Sequence, residues 1–220
     1  MSELYIHVGL HKTGTTFLQN HVFPKMDVKF IRTGSGSIPL LNIQLHPDKP
    51  TLVSSEELTR HNFVDRSEAS MATIADRIHK VFPEARIILT LRNKEDWLQS
   101  LYKHYQRDWD GRLPYNRWLV EIFDDDDLQF ERYVEHLRDL FPEVLVLRYE
   151  KLQQEPEAFV EDICNFIGVE LPNFDVVWEN VSFPDRQLNF LRSLEKLGLP
   201  NVVVEVVYRF FKFGLNQERG

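Results

Sequence analysis

The sequence has one cysteine, Cys164. An internal disulfide is therefore excluded, and a reducing compartment is the simpler setting. A basic excess is also lacking: 26 Lys and Arg stand against 34 Asp and Glu, a formal net charge of −8. That balance argues against a nucleic-acid binder working through a general basic surface, and against a strongly anionic polymer as the molecule acted upon. One basic cleft remains compatible with it, because net charge does not describe a local pocket. No apolar run reaches the roughly 20 residues needed to cross a bilayer. The most apolar late stretch, 202–213, is interrupted by Glu205, Arg209 and Lys212, and it reads as packing against the domain rather than as membrane insertion. No basic, apolar and cleavage regions precede the first apolar run, so the expected location is cytoplasmic. Low-complexity tracts and visible domain boundaries are missing as well.

What is present suits one domain over 1–220: 220 residues with 43% hydrophobic content bury enough apolar surface to fold without staples. Leu4-Tyr5-Ile6-His7-Val8 is short, mostly apolar and followed by glycine, which predicts a buried strand. A helix is expected over 15–22. One pattern then occurs twice: an apolar helix end meets Pro83-Glu84 before the run 86–91, and another meets Pro142-Glu143 before the run 144–147. Proline stops each helix, and near-continuous apolar runs suit strands covered on both faces, the mark of a parallel sheet. Thr51-Leu52-Val53-Ser54 is a further strand. Asn93 is placed to cap a helix running to about Arg107, and Pro156 to open one that ends before Gly168. The expected class is α/β, a central, mainly parallel sheet flanked by helices. The stretch 34–37 reads as a loop and 169–220 as mainly helical.

Chemistry concentrates in Gly9-Leu10-His11-Lys12-Thr13-Gly14-Thr15-Thr16, between the first strand and the first helix. Two glycines let backbone amides approach an anion. A helix N-terminus adds unpaired N–H groups and a positive dipole end. Lys12 supplies a charge, and Thr13, Thr15 and Thr16 supply hydroxyls. This is an anion cradle, but not a nucleoside triphosphate loop, which ends in Gly-Lys-Ser/Thr. Here Thr15 follows Gly14, and the lysine stands in the middle of the loop. A P-loop kinase or other phosphotransferase is the second reading, and Thr15 counts against it.

Lys12-Thr13-Gly14-Thr15-Thr16 after an apolar strand resembles the 5′-phosphosulfate loop of the sulfotransferases that use 3′-phosphoadenosine 5′-phosphosulfate (PAPS). The resemblance implies a P-loop NTPase-like fold, PAPS as co-substrate, no required metal, and release of 3′-phosphoadenosine 5′-phosphate. It also implies an acceptor bearing a hydroxyl or amine, and donor-binding roles for His11, Lys12, Thr13, Gly14, Thr15 and Thr16. A 3′-phosphate needs its own site. Arg92 ends the run 86–91, and Ser100 follows eight positions later in the next helix. This pair resembles the family's 3′-phosphate motif, and Tyr102, His104 and Tyr105 continue the match. An arginine fork suits phosphate, and ligands of open α/β sheets bind beyond the carboxyl ends of strands. Leu145-Val146-Leu147-Arg148-Tyr149-Glu150-Lys151-Leu152 resembles a later strand of the family with its Tyr-Glu-x-Leu turn. Tyr149 and Glu150 are expected to anchor the strand end. The resemblance covers about 3–168.

Transfer to a hydroxyl or amine needs a proton acceptor. Glu56 and Glu57 stand just past the strand 51–54, where some similar sulfotransferases carry a catalytic glutamate. Glu56 is the first candidate and Glu57 the alternative; both also suit a helix start. His11 and His104 are further alternatives. A relative that keeps the nucleotide pocket without chemistry stays open. Asp124 to Asp127 reads as a solvated loop capping the next helix, with no metal set. Trp97, Trp109, Trp118 and Trp178 read as core or cleft wall, and Cys164 as buried.

Overall fold

The computed structural model describes residues 3–33, 43–59, 69–108, 113–124 and 126–177. The expectations for the loop at 34–37, for Trp109 and Trp178, and for 178–220 lie outside them. All described residues belong to the first of two compact units, Met1–Val177 and Trp178–Gly220.

Five strands form one sheet: β1 (Leu4–Gly9), β2 (Lys29–Arg32), β3 (Thr51–Ser54), β4 (Arg86–Leu91) and β5 (Val144–Arg148). Every pairing is parallel, and the order is β2-β3-β1-β4-β5. The apolar runs explain the arrangement. β1 and β3 are buried along their whole length and β4 along nearly all of it, as strands covered on both faces must be.

Side chains alternate between the two faces. Ile6, Val8, Val53, Ile87 and Leu89 join one apolar core, with Ala75 and Ile78 of α2 (Met71–Val81), Trp97 and Leu101 of α3 (Lys94–Asp108), Trp118 of α4 (Tyr115–Ile122), and Val134 and Leu137 of α5 (Phe130–Leu140). Each such buried large side chain contributes about 1.5–3 kcal/mol relative to exposure. The opposite face carries Tyr5, His7, Ser54 and Thr90. There the His7 ring meets Phe23, and Tyr5 meets Phe166 of α7 (Pro156–Ile167) edge-on.

Several helix boundaries follow the sequence signals. Asn93 Oδ1 accepts from the Asp96 N–H at 3.2 Å, so it caps α3. Pro156 opens α7, and Gly168 closes it with a φ of 81°. Others differ. The helix expected over 15–22 has α geometry only at α1 (Thr15–Phe17), widens into a π-helical stretch Leu18–Val22, and tightens into a 3₁₀ turn Phe23–Lys25. Pro24 lacks the N–H that an α-helical ladder would need there. The acidic run does not cap α5, whose N-cap is Gln129. Asp127 is buried instead, and its carboxylate accepts from the Asp124 N–H at 3.1 Å. Residues 169–177 are neither helix nor strand.

The topology fixes where a ligand belongs. The chain leaves β1 toward β2 and β3, then crosses to β4 on the other side of β1. Connections therefore diverge beside β1 and β4, and a crevice opens outside their carboxyl ends. Among the described residues no helix is long and apolar enough to cross a membrane.

Candidate functional site

The loop after β1 enters this crevice. Gly9 ends the strand against the helix: a Cβ there would lie 2.4 Å from Thr15 Oγ1. Lys12 has a φ of 67° and Gly14 one of 85°. Lys12 is the one non-glycine residue of positive φ among the described residues, a conformation that costs about 1–2 kcal/mol. A Cβ on Gly14 would stand 2.5 Å from Leu152 Cδ2 and 3.4 Å from the Tyr149 ring. The loop is thus pressed on α6 (Tyr149–Gln154) at a point where only glycine fits.

Three successive carbonyls of the loop are held by side-chain donors. The Thr13 hydroxyl donates to Leu10 O at 2.5 Å, Trp97 Nε1 to His11 O at 2.9 Å, and Arg92 Nη1 to Lys12 O at 3.2 Å. Oriented carbonyls turn the intervening N–H groups the other way, as an anion site requires. Thr13 is buried and bonded within the loop, so its hydroxyl serves loop shape rather than a ligand. Thr15 Oγ1 is buried without a hydrogen-bond partner. An orphaned hydroxyl in an anion loop costs about 1–3 kcal/mol until something bonds it. Thr16 is half-buried beside it.

Arg92 leaves β4 half-buried, its guanidinium carbon 4.9 Å from the centre of the Tyr149 ring. Glu150 accepts from the Asn93 N–H at 2.8 Å, so the next strand's turn caps α3 from outside. The Tyr-Glu-x-Leu turn is therefore a wall of the site: Tyr149 under Arg92, Glu150 on Asn93, Leu152 against Gly14. Ser100 lies buried two turns into α3, and among the described residues no hydrogen bond joins it to Arg92.

The third loop follows β3. Ser55 Oγ accepts from the Glu57 N–H at 3.2 Å and opens a 3₁₀ turn, Glu56–Leu58. Both glutamates thus begin a helical turn, as their type favours. They diverge in surroundings. Glu56 Oε2 lies 3.7 Å from His11 Nδ1, an ion-pair distance too long for a hydrogen bond. The His11 ring is almost wholly buried, and the His104 ring centre is 6.5 Å from it. The structure thus places both Glu56 and His104 near His11.

Beneath them runs a buried polar layer that sequence reasoning missed. His7 Nδ1 lies 2.8 Å from Ser54 Oγ, and Gln19 Nε2 donates to Ser54 Oγ at 3.0 Å and Ser54 O at 3.2 Å. Burial holds the His7 imidazole far below its usual range, at about 3, so the ring is neutral. A visible signal existed: His7, Ser54 and Thr90 are polar residues near the ends of otherwise apolar strands, and His7 and Ser54 are paired in register. Among the described residues no three His, Cys, Asp or Glu side chains converge as a metal site.

Residues 51–173 match the sulfotransferase family. That span holds Glu56, Glu57, Arg92, Ser100, Tyr149 and Glu150, but not the Lys12 loop. No curated protein matches the chain. Among solved structures, a sulfotransferase from Alicyclobacillus acidocaldarius aligns with a TM-score of 0.53 at 18% identity, over 89% of this chain and 92% of that one. Mouse sulfotransferase SULT7A1, complexed with PAP, aligns with a TM-score of 0.51 at 17% identity, over 78% of this chain and 61% of that one. At these identities the likeness shows the fold.

Proposed function

The chain belongs to the sulfotransferase family, and from that premise we propose that it moves a sulfuryl group from PAPS to an acceptor hydroxyl or amine. The observation that carries the choice of donor is the junction at the carboxyl ends of β1 and β4. There Arg92 reaches the Lys12 loop directly, so two cationic sites stand side by side. A donor with anionic groups at both its 5′ and 3′ positions fits two such sites. The unpartnered Thr15 hydroxyl is a donor suited to one of those anions.

In this reading the Lys12 loop holds the phosphosulfate, with His11, Gly14, Thr15 and Thr16 around it. Arg92 binds the 3′-phosphate, and the Ser100 hydroxyl from α3 adds a second donor to it. When bound, the donor supplies an activated sulfur whose bond to the bridging phosphate oxygen is the one that breaks. The acceptor oxygen or nitrogen forms the new bond to sulfur in line with it. Glu56 takes the acceptor proton, and Lys12 meets the negative charge gathering on the leaving oxygen. Glu57 is the alternative base, and His11 stands next to Glu56. Bisphosphate and sulfated acceptor are then released. Catalysis here rests on positioning and fixed charge.

Calorimetry with 3′-phosphoadenosine 5′-phosphate tests the donor. Binding is expected with chelator present, since Lys12 and Arg92 bring the cationic charge themselves. Tight binding of adenosine triphosphate but not of the bisphosphate would sink the assignment.

A further inference from the structure

The same arginine touches both anion sites, and that has a consequence for how the donor is read. Arg92 Nη1 donates to the carbonyl of Lys12, the residue held at positive φ. A guanidinium has five N–H donors in a rigid fork, so one edge bonds the carbonyl while another faces a phosphate. The Tyr149 ring under the guanidinium sets its plane. The Glu150 carboxylate, bonded to the Asn93 N–H, fixes the backbone one residue on. Trp97 holds the neighbouring His11 carbonyl from α3. The helix and strand end that carry the 3′-phosphate arginine thus also hold the backbone of the catalytic lysine.

We propose that Arg92 is a positioning residue for Lys12 as well as a ligand for the 3′-phosphate, so that the two subsites of the donor site are coupled through the Lys12 carbonyl. This rests on the donor reading above. Lys12 is in an unfavourable backbone conformation that persists only while its surroundings hold it. The bond from Arg92 is one of those holds. A 3′-phosphate that orders the guanidinium therefore also steadies the lysine at the other end of the nucleotide, and specificity for the 3′-phosphorylated donor extends beyond simple binding. Arg92→Lys keeps the charge but loses the rigid planar fork whose separate edges face carbonyl and phosphate in fixed directions.

The test is calorimetry of wild type and Arg92→Lys with two probes, adenosine 3′,5′-bisphosphate and adenosine 5′-monophosphate. The monophosphate lacks the group that Arg92 is assigned to bind. If Arg92 also positions the Lys12 loop, Arg92→Lys binds even the monophosphate more weakly, by about 5- to 10-fold, the loss of one ordinary hydrogen bond. The retained charge means that lost attraction is not the cause. Monophosphate affinity equal to wild type, in a variant that melts normally and still prefers less of the bisphosphate, overturns the coupling while leaving the donor reading intact. A wild type with no preference for bisphosphate over monophosphate overturns the donor reading itself. Should Arg92→Lys fail to fold, Tyr149→Leu unseats the guanidinium without changing charge. It carries the same expectation and the same refutation.

Discussion

Lys12 and Glu56 are assigned to the leaving oxygen and the acceptor of the proposed reaction, and their substitutions are expected to separate. Lys12 meets charge that grows during transfer, so Lys12→Ala lowers turnover more than ground-state affinity for the bisphosphate. Glu56→Gln keeps shape and removes the base, a loss of about 100- to 10,000-fold in rate with nucleotide affinity near wild type. Single-turnover rates with an acceptor found by radiolabelled-donor screening give the comparison, with Glu57→Gln beside it. Normal turnover in Glu56→Gln with collapse in Glu57→Gln moves the base by one residue. Normal turnover in both returns the role to His11 or His104. His7 yields a different prediction. In the native chain it stays neutral down to about pH 3, against 6.5 when exposed. Between those values the unfolded chain binds the extra proton. The stability is full above pH 6.5 and declines as pH falls, by about 2 kcal/mol at pH 5. Urea unfolding at pH 7, 6 and 5 is expected to show that slope in wild type and to lose this part of it in His7→Gln. An equal slope in both would mean that His7 is not buried neutral.

Two glycines with nearly the same backbone show what an element requires of its ends. Gly168 closes α7 at φ 81° with nothing within 4 Å of a would-be Cβ. Gly168→Ala is expected to cost about 1 kcal/mol, the backbone preference alone. Gly14 has φ 85° and faces Leu152 at 2.5 Å. Gly14→Ala should therefore cost more and weaken nucleotide binding as well, and in a chain that also carries Leu152→Ala, itself destabilised by loss of a buried side chain, the added cost of Gly14→Ala should shrink towards the backbone term. Equal losses at both positions, measured by thermal unfolding, would show that the contact with α6 does not matter. Strand and helix ends of this kind were legible in the sequence wherever a residue has one conformational use: Pro156 and Gly168 at α7, Asn93 at α3, the proline stops before β4 and β5. β2 and α4 were not legible; α4 has one such mark, Pro114 at its N-cap, but is only 8 residues long. β2 has only two apolar residues, Phe30 and Ile31, between Lys29 and Arg32 at a sheet edge, too short an apolar run to mark a strand. The π-helical widening after Phe17 has no compositional mark at all.

Across the whole molecule, residues at three strand ends were singled out by type: Lys12 and Arg92 as cations suited to an anion, Glu56 as a carboxylate suited to take a proton. What joins them was not readable. The bonds from Arg92 to the Lys12 carbonyl and from Trp97 to the His11 carbonyl link residues 80 and 86 positions apart through backbone atoms, which carry no sequence signature. The net negative charge of the sequence is the other global feature, and it makes affinity for an anion a local matter. At a bisphosphate concentration about 100 times its dissociation constant, stabilisation of about 2.7 kcal/mol is expected, a rise in melting temperature of roughly 5–10 °C. Chelator should leave that rise unchanged, and a rise that needs added divalent metal would contradict a site built from Lys12 and Arg92 alone.

Every strand pairing in the sheet is parallel, and this constrains the order in which the chain can acquire its purpose. Parallel neighbours cannot be joined by a tight hairpin; each must wait for a long crossover. β1 emerges first, yet its two partners, β3 and β4, arrive some 45 and 80 residues later. The wall formed by Tyr149, Glu150 and Leu152 comes later still. A nascent chain therefore makes the anion loop early, well before Arg92 and Trp97, which fix two of its carbonyls. Early nucleation through local contacts is confined to the helices, and sheet closure is slow by the measure of sequence separation. In the proposed reading a nucleotide meets the complete site only once residue 152 has joined the rest, so it would act as a seal on the finished fold rather than as a template for it.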